Sequence, residues 1–194
     1  MVDRTKEVLK ICDYSLYGHY PYNVSMKKNF QELQEYVKDD EYGDNYGAGD
    51  YIANFEKQIA NLLGKESAVF MPSGTMAQQI ALRIWCEKKN NNKVVFHPTA
   101  HPEIAEHMGY SFLHNIKRVQ FGAPELLSHR LLTLKDFQNI HESFAVALIE
   151  LPQRPIGGQL PSWTELSQIS KWCEEKEVIL HLDGARIWEC RDTT

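Results

Sequence analysis

Hydrophobic and polar positions change rhythm near residue 50. Before it no period is sustained: tyrosines (Tyr14, Tyr17, Tyr20, Tyr22, Tyr36, Tyr42, Tyr46) dominate, and the stretch closes in the turn-rich Gly43-Asp44-Asn45-Tyr46-Gly47-Ala48-Gly49. One short helix is predicted over 25–37, and the rest of 1–49 reads as an amino-terminal arm without a core of its own. Beyond Gly49 the pattern is regular. Asp50 is placed to cap a helix whose Ile52, Phe55, Ile59, Leu62 and Leu63 share a face, with Gly64 as its stop. Residues 67–71 read as a short strand ended by Pro72. Ser73-Gly74-Thr75 then opens a helix carrying Met76, Ile80, Ala81, Ile84 and Trp85 at helical spacing.

Apolar runs predict further strands over 93–96, 116–121, 145–151 and 178–182. Helices are expected from Pro102, a good first helical residue, from Thr133-Leu134-Lys135-Asp136, and from Ser162-Trp163-Thr164-Glu165. The last fits a capping box and continues through Leu166, Ile169, Trp172 and Cys173. Residues 152–161 hold three prolines and two glycines and read as a loop. Strands alternating with helices predict an α/β fold with a mainly parallel sheet, in which ligands gather outside the carboxyl ends of the strands. Three polar clusters are expected there: Ser73-Gly74-Thr75, His97 to His101, and Asp183-Gly184-Ala185-Arg186.

Composition narrows the function. The chain of 194 residues has 21 Lys+Arg against 26 Asp+Glu, a net charge of −5, with 43% hydrophobic residues. That balance suits a globular domain and speaks against nucleic acid as a partner, which calls for a basic face. No run approaches the ~18 apolar residues of a membrane span, and MVDRTKEVLK lacks the apolar core of a signal peptide. Cys12, Cys86, Cys173 and Cys190 are scattered without CxxC spacing, so neither a disulfide scaffold nor a zinc ribbon is expected. A cytoplasmic protein is the reading.

Each cluster has a bland and a chemical reading. Ser73-Gly74-Thr75 is either a plain N-cap or a turn whose N–H groups and hydroxyls cradle a phosphate at a helix N-terminus. His97 and His101 lie four apart, but Pro98 and Pro102 oppose one helix through both and no HExxH is present, so no metal is expected. His101 is then a packing residue, or one that stacks on an aromatic ligand or handles protons. Asp183 follows an apolar run, where charge is expensive. It pairs with Arg186, or with a protonated pyridine nitrogen such as that of pyridoxal phosphate. Arg186 holds a protein carboxylate or a substrate carboxylate.

The segments Tyr46-Gly47, Leu63 through Ala77 (LGKESAVFMPSGTMA), Thr99-Ala100-His101, and His181 through Trp188 (HLDGARIW) resemble the threonine aldolase/β-eliminating lyase family, in order along the chain. The resemblance implies a partial three-layer αβα large domain of a fold-type-I pyridoxal phosphate enzyme, with an amino-terminal arm. It implies that Ser73, Gly74 and Thr75 hold the phosphate of pyridoxal 5'-phosphate. His101 would stack on the ring, Asp183 would pair with its nitrogen, and both would be catalytic; Arg186 would bind the substrate. The activity implied is aldol cleavage of a β-hydroxy-α-amino acid to glycine and an aldehyde. A β-eliminating lyase or aminotransferase of the same fold, or a non-catalytic partner-binding fragment, is the alternative. The family also implies a homodimer or homotetramer whose sites draw on two subunits, with an interface role for the arm.

Two departures accompany the likeness. Where the family has Glu-Asn-Thr-His, this chain reads Glu150-Leu151-Pro152-Gln153, so the histidine that serves the substrate hydroxyl has no counterpart. The family's Schiff-base lysine falls beyond the DGAR segment, and residues 184–194 contain no lysine. Residues 50–194 are therefore expected to be the first part of the cofactor-binding large domain, truncated before that lysine. Such a chain is expected to hold the cofactor loosely and to lack turnover.

Overall fold

The computed structural model describes residues 25–47, 49–120 and 129–190, together with Glu7 and Ile11. The chain divides into two compact units, Met1–Phe70 and Met71–Thr194.

The first unit holds two helices. In α1 (Met26–Tyr36), Ser25 is the N-cap and its hydroxyl accepts from Lys28 N at 3.2 Å, while no residue of the helix is buried. In α2 (Asp50–Leu62) the N-cap is Gly49 rather than Asp50, which lies in the first turn. There its carboxylate still favours the positive end of the helix. Gly64 follows at φ +61°, a conformation glycine adopts without strain. The run 67–71 is not a strand among the described residues. Instead of joining a ladder, Phe70 N donates to Glu56 Oε1 at 2.7 Å, and the Phe70 ring meets Phe55 edge-on at 6.2 Å.

The second unit is built on one sheet. Its elements are α3 (Gly74–Lys89), β1 (Lys93–Phe96), α4 (His101–Ile104), α5 (Gly109–His114), β2 (Lys117–Arg118), α6 (Leu134–Gln138), β3 (Val146–Glu150), α7 (Trp163–Glu175) and β4 (Ile179–Asp183). All strand pairs are parallel, in the order β2-β1-β3-β4. Successive strand residues point to opposite faces, and each face is covered. Val94, Phe96, Val146 and Leu148 pack with Leu82 and Cys86 of α3 and Tyr110 of α5. Val95, Ala147 and Ile149 pack with Phe137 of α6 and Ile169 and Cys173 of α7. A parallel sheet covered on both faces needs near-continuous apolar strands, which VVF and VALI provide. This is the mainly parallel α/β sheet that the alternation implied, in the three-layer αβα arrangement that the resemblance implied.

Several elements differ from expectation in instructive ways. The helix expected from Pro102 begins at His101, which places His101 in its first turn. Ladder pairing in 116–121 is confined to Lys117 and Arg118, with residue 121 outside the described set. The Ser162 box is half made: Ser162 Oγ accepts from Glu165 N at 3.1 Å, but Glu165 Oε1 accepts from Leu134 N at 2.6 Å. Glu165 thus caps α6, since an orphan N–H of a neighbouring helix start competes for the same carboxylate. The buried stripe of α3 is Gln78, Gln79, Leu82 and Cys86. The apolar positions Met76 and Ile84 are more than two-fifths exposed.

Candidate active site

Because the strands run parallel, Phe96, Glu150 and Asp183 bring the carboxyl ends of β1, β3 and β4 to one edge of the sheet. Glu150 and Asp183 are register partners there, and both are buried. Among the described residues no Lys or Arg forms an ion pair with either carboxylate. Glu150 Oε2 accepts the backbone N–H of His101 at 3.1 Å and the Gln153 amide at 3.2 Å. Asp183 Oδ1 accepts Ala185 N at 3.1 Å. Burial raises the Glu150 carboxyl above its ordinary range, the Asp183 charge adds to that, and N–H groups of His101 and Arg154 oppose it. One strand position before Leu182, His181 is held below its usual value by burial, against the pull of Asp183.

His101 opens α4 with its side chain one-third exposed (33%), and its Nδ1 lies 2.8 Å from Glu106 Oε1. Glu106 is buried and takes two further donors: Gln78 Nε2 at 3.0 Å and Gln79 Nε2 at 2.6 Å. The amide oxygens of Gln78 and Gln79 are buried without a hydrogen-bond partner. Each such oxygen costs about 1–3 kcal/mol, so two acceptors are forgone to supply one carboxylate. Sequence reasoning missed Glu106, Gln78 and Gln79. The one available signal was that both glutamines fall in line with Leu82 and Cys86 at helical spacing.

Ser73-Gly74-Thr75 is exposed and starts α3. The Ser73 hydroxyl accepts Met76 N at 3.2 Å, so the N-cap reading holds for that residue. A Cβ at Gly74 would meet nothing within 4 Å. The turn follows no strand among the described residues, so only two of the three polar clusters lie at strand ends. It is joined to the His101 cluster through α3 itself: Thr75 precedes Gln78 by three residues, ~4.5 Å along the axis.

His97 belongs to its own loop. It is buried, its Nδ1 accepts Thr99 N at 3.1 Å, and its Nε2 lies 3.1 Å from the Arg130 carbonyl, which places the proton on Nε2. Arg186 is half-buried, and its side chain makes no ion pair with Asp183. Gln153, at the position of the family's histidine, is buried and spends its amide on Glu150 and on Thr99 Oγ1 at 3.3 Å.

Solved structures share this architecture. A Listeria monocytogenes protein assigned as an L-allo-threonine aldolase is 46% identical with a TM-score of 0.83, covering 94% of this chain and 49% of its own. An Exiguobacterium protein assigned as an aromatic amino acid β-eliminating lyase/threonine aldolase is 41% identical with a TM-score of 0.84, covering 96% and 51%. The fold is that of the type-I pyridoxal phosphate enzymes. The β-eliminating lyase family model matches residues 26–193, and the chain belongs to that family. The low-specificity L-threonine aldolase of Saccharomyces cerevisiae is 30% identical over 167 residues, 81% of this chain and 41% of the yeast protein. This chain thus spans about half the length of the solved relatives and about two-fifths of the yeast one.

Enzymes of this family work with pyridoxal phosphate, and the residues present fit that group. Two buried carboxylates that form no ion pair with a Lys or Arg among the described residues suit a positively charged ring nitrogen at Asp183. Open space over Gly74 at the start of a 16-residue helix suits a phosphate.

Proposed function

We propose that the protein to which this chain belongs is a pyridoxal-phosphate-dependent carbon–carbon lyase that cleaves a β-hydroxy-α-amino acid to glycine and an aldehyde. The observation that carries this reading is the buried Glu150–Asp183 pair at the carboxyl edge, which forms no ion pair with a Lys or Arg among the described residues and adjoins His101. When bound, the cofactor supplies an electron sink for the bond that breaks.

The chain's own residues do the rest. Gly74 and Thr75 N–H groups and the neighbouring hydroxyls hold the phosphate. Asp183 holds the proton on the ring nitrogen through a charge-assisted hydrogen bond. Arg186, which forms no ion pair with a carboxylate among the described residues, would bind the substrate carboxylate bidentately and so orient the bond that breaks. His101 would lie beside the cofactor ring, and its Nε2 would be the base that takes the β-hydroxyl proton of the substrate. Residues 50–194 supply the first part of the cofactor-binding domain, and the arm over 1–49 serves the interface of a cytoplasmic homodimer or homotetramer. The names of the relatives, threonine and allo-threonine aldolases, support this choice over elimination or transamination.

The test is product analysis of the full-length protein with cofactor and L-threonine or L-allo-threonine. Glycine and acetaldehyde in equal amounts are expected. A keto acid with ammonia, and no glycine, would overturn the lyase reading in favour of elimination.

A further inference from the structure

Glu106 is surrounded by donors from three directions. His101 Nδ1 approaches Oε1 from the start of α4, Gln78 Nε2 shares that oxygen, and Gln79 Nε2 takes Oε2, the last two reaching from α3. Turning either glutamine amide over would give its stranded oxygen a new orientation, but would set it against the carboxylate. The chain instead leaves both amide oxygens unpartnered. Space is reserved for this arrangement as well, since a Cβ on Gly109 would lie 3.3 Å from Gln79 Nε2.

We infer that Glu106 is the positioning residue of the site: clamped by Gln78 and Gln79, it holds His101 as the Nδ1–H tautomer and leaves Nε2 as the nitrogen with the lone pair. An acceptor-only carboxylate taking N–H bonds from two amides has no proton to give, so the His101 contact requires the hydrogen on Nδ1. A neutral histidine side chain otherwise favours the proton on Nε2, and an Nε2–H could not accept a proton. His97 in the same chain shows the opposite arrangement, with Thr99 N donating to Nδ1. Glu106 also ties His101 to α3, whose first turn is Ser73-Gly74-Thr75, so one carboxylate sets the spacing between the phosphate turn and the histidine. The consequence for catalysis rests on the function proposed above; the tautomer does not, and the two fail separately.

The tautomers are read from long-range 15N–1H spectra of the 194-residue chain without cofactor, at a pH where both imidazoles are neutral. His101 is expected as Nδ1–H and His97 as Nε2–H, and Glu106→Met, which removes the acceptor at similar volume, is expected to move the His101 proton to Nε2. An Nε2–H His101 in the unmodified chain, which decides the matter even where Glu106→Met fails to fold, would overturn the inference. So would Nδ1–H persisting in a natively folded Glu106→Met. In the full-length protein, Glu106→Met is expected to weaken pyridoxal phosphate binding about 10-fold with His101 present and less than about twofold beside His101→Ala. Equal weakening in both backgrounds would make Glu106 merely structural. An Nδ1–H His101 in a full-length protein that binds no pyridoxal phosphate would keep Glu106's hold on His101 and overturn the cofactor reading instead.

Discussion

Glu150 on β3 and Asp183 on β4 stand directly opposite each other in register, both buried at the carboxyl edge of the sheet. Two like charges so placed repel, and water is not there to screen them. Folding holds the Glu150 carboxyl above its ordinary range through burial first and Asp183 second. Above the ordinary carboxylate range the native state therefore binds more protons than the unfolded chain, and stability declines as pH rises through the raised value. Glu150→Gln keeps an oxygen for His101 N–H and removes the repulsion. Urea midpoints measured across pH should fall less steeply with rising pH in this variant; an unchanged slope would remove the pair as its source.

Asp136 behaves oppositely. Burial alone would raise its carboxyl, but hydrogen bonds from Arg130 and from the Thr133 N–H and hydroxyl outweigh it and hold the group at about 2. A depressed value stabilises the fold above the ordinary carboxylate range, and that gain is lost as pH falls toward 2. With Arg130 partly exposed, the loss in Asp136→Asn at neutral pH is expected to be about 1–2 kcal/mol. The difference between the variant and the original chain should vanish near pH 2.

The start of α3 separates capping from ligand binding. Ser73→Ala removes the hydroxyl that accepts Met76 N and should cost about 1 kcal/mol of stability. Thr75 is exposed, so Thr75→Ala should leave stability alone while weakening pyridoxal phosphate binding to the full-length protein by about 1–3 kcal/mol. Binding of pyridoxal, which lacks the phosphate, should be unaffected. Equal losses for both ligands would argue against a phosphate at this turn.

At the carboxyl edge, Asp183→Ala should abolish turnover of the full-length protein while its phosphate contacts persist, because an unprotonated ring is a poor electron sink. Near-normal glycine release by this variant would sink the assignment of Asp183.

The face of α3 is testable by packing. Leu82 is fully buried, and Leu82→Ala should cost about 2–5 kcal/mol in the 194-residue chain. Ile84→Ala and Met76→Ala, at positions more than two-fifths exposed, should each stay within roughly 0.5 kcal/mol in that same chain. A reversal of these costs, read by urea denaturation, would put the sequence-derived face against the sheet after all.

Local patterns in the amino-acid sequence determined the central strands and the long helices of the second unit and the class of fold, though not α5. VVF and VALI are apolar enough to be buried on both faces, and the Ser73 and Ser162 caps act over three residues, so each was legible from its own neighbourhood. The motifs around Ser73, His101 and Asp183 likewise carried the family. Tertiary structure alone decided what those residues face. It set Glu150 against Asp183, 33 positions apart in the chain but paired by the register of β3 and β4. It also turned Gln78 and Gln79 inward, contrary to their polarity, because a buried carboxylate from the next loop needed their N–H groups. Hydrophobic period weighs each residue by its own transfer cost. The burial of a polar side chain depends on a partner that only the folded chain brings into reach.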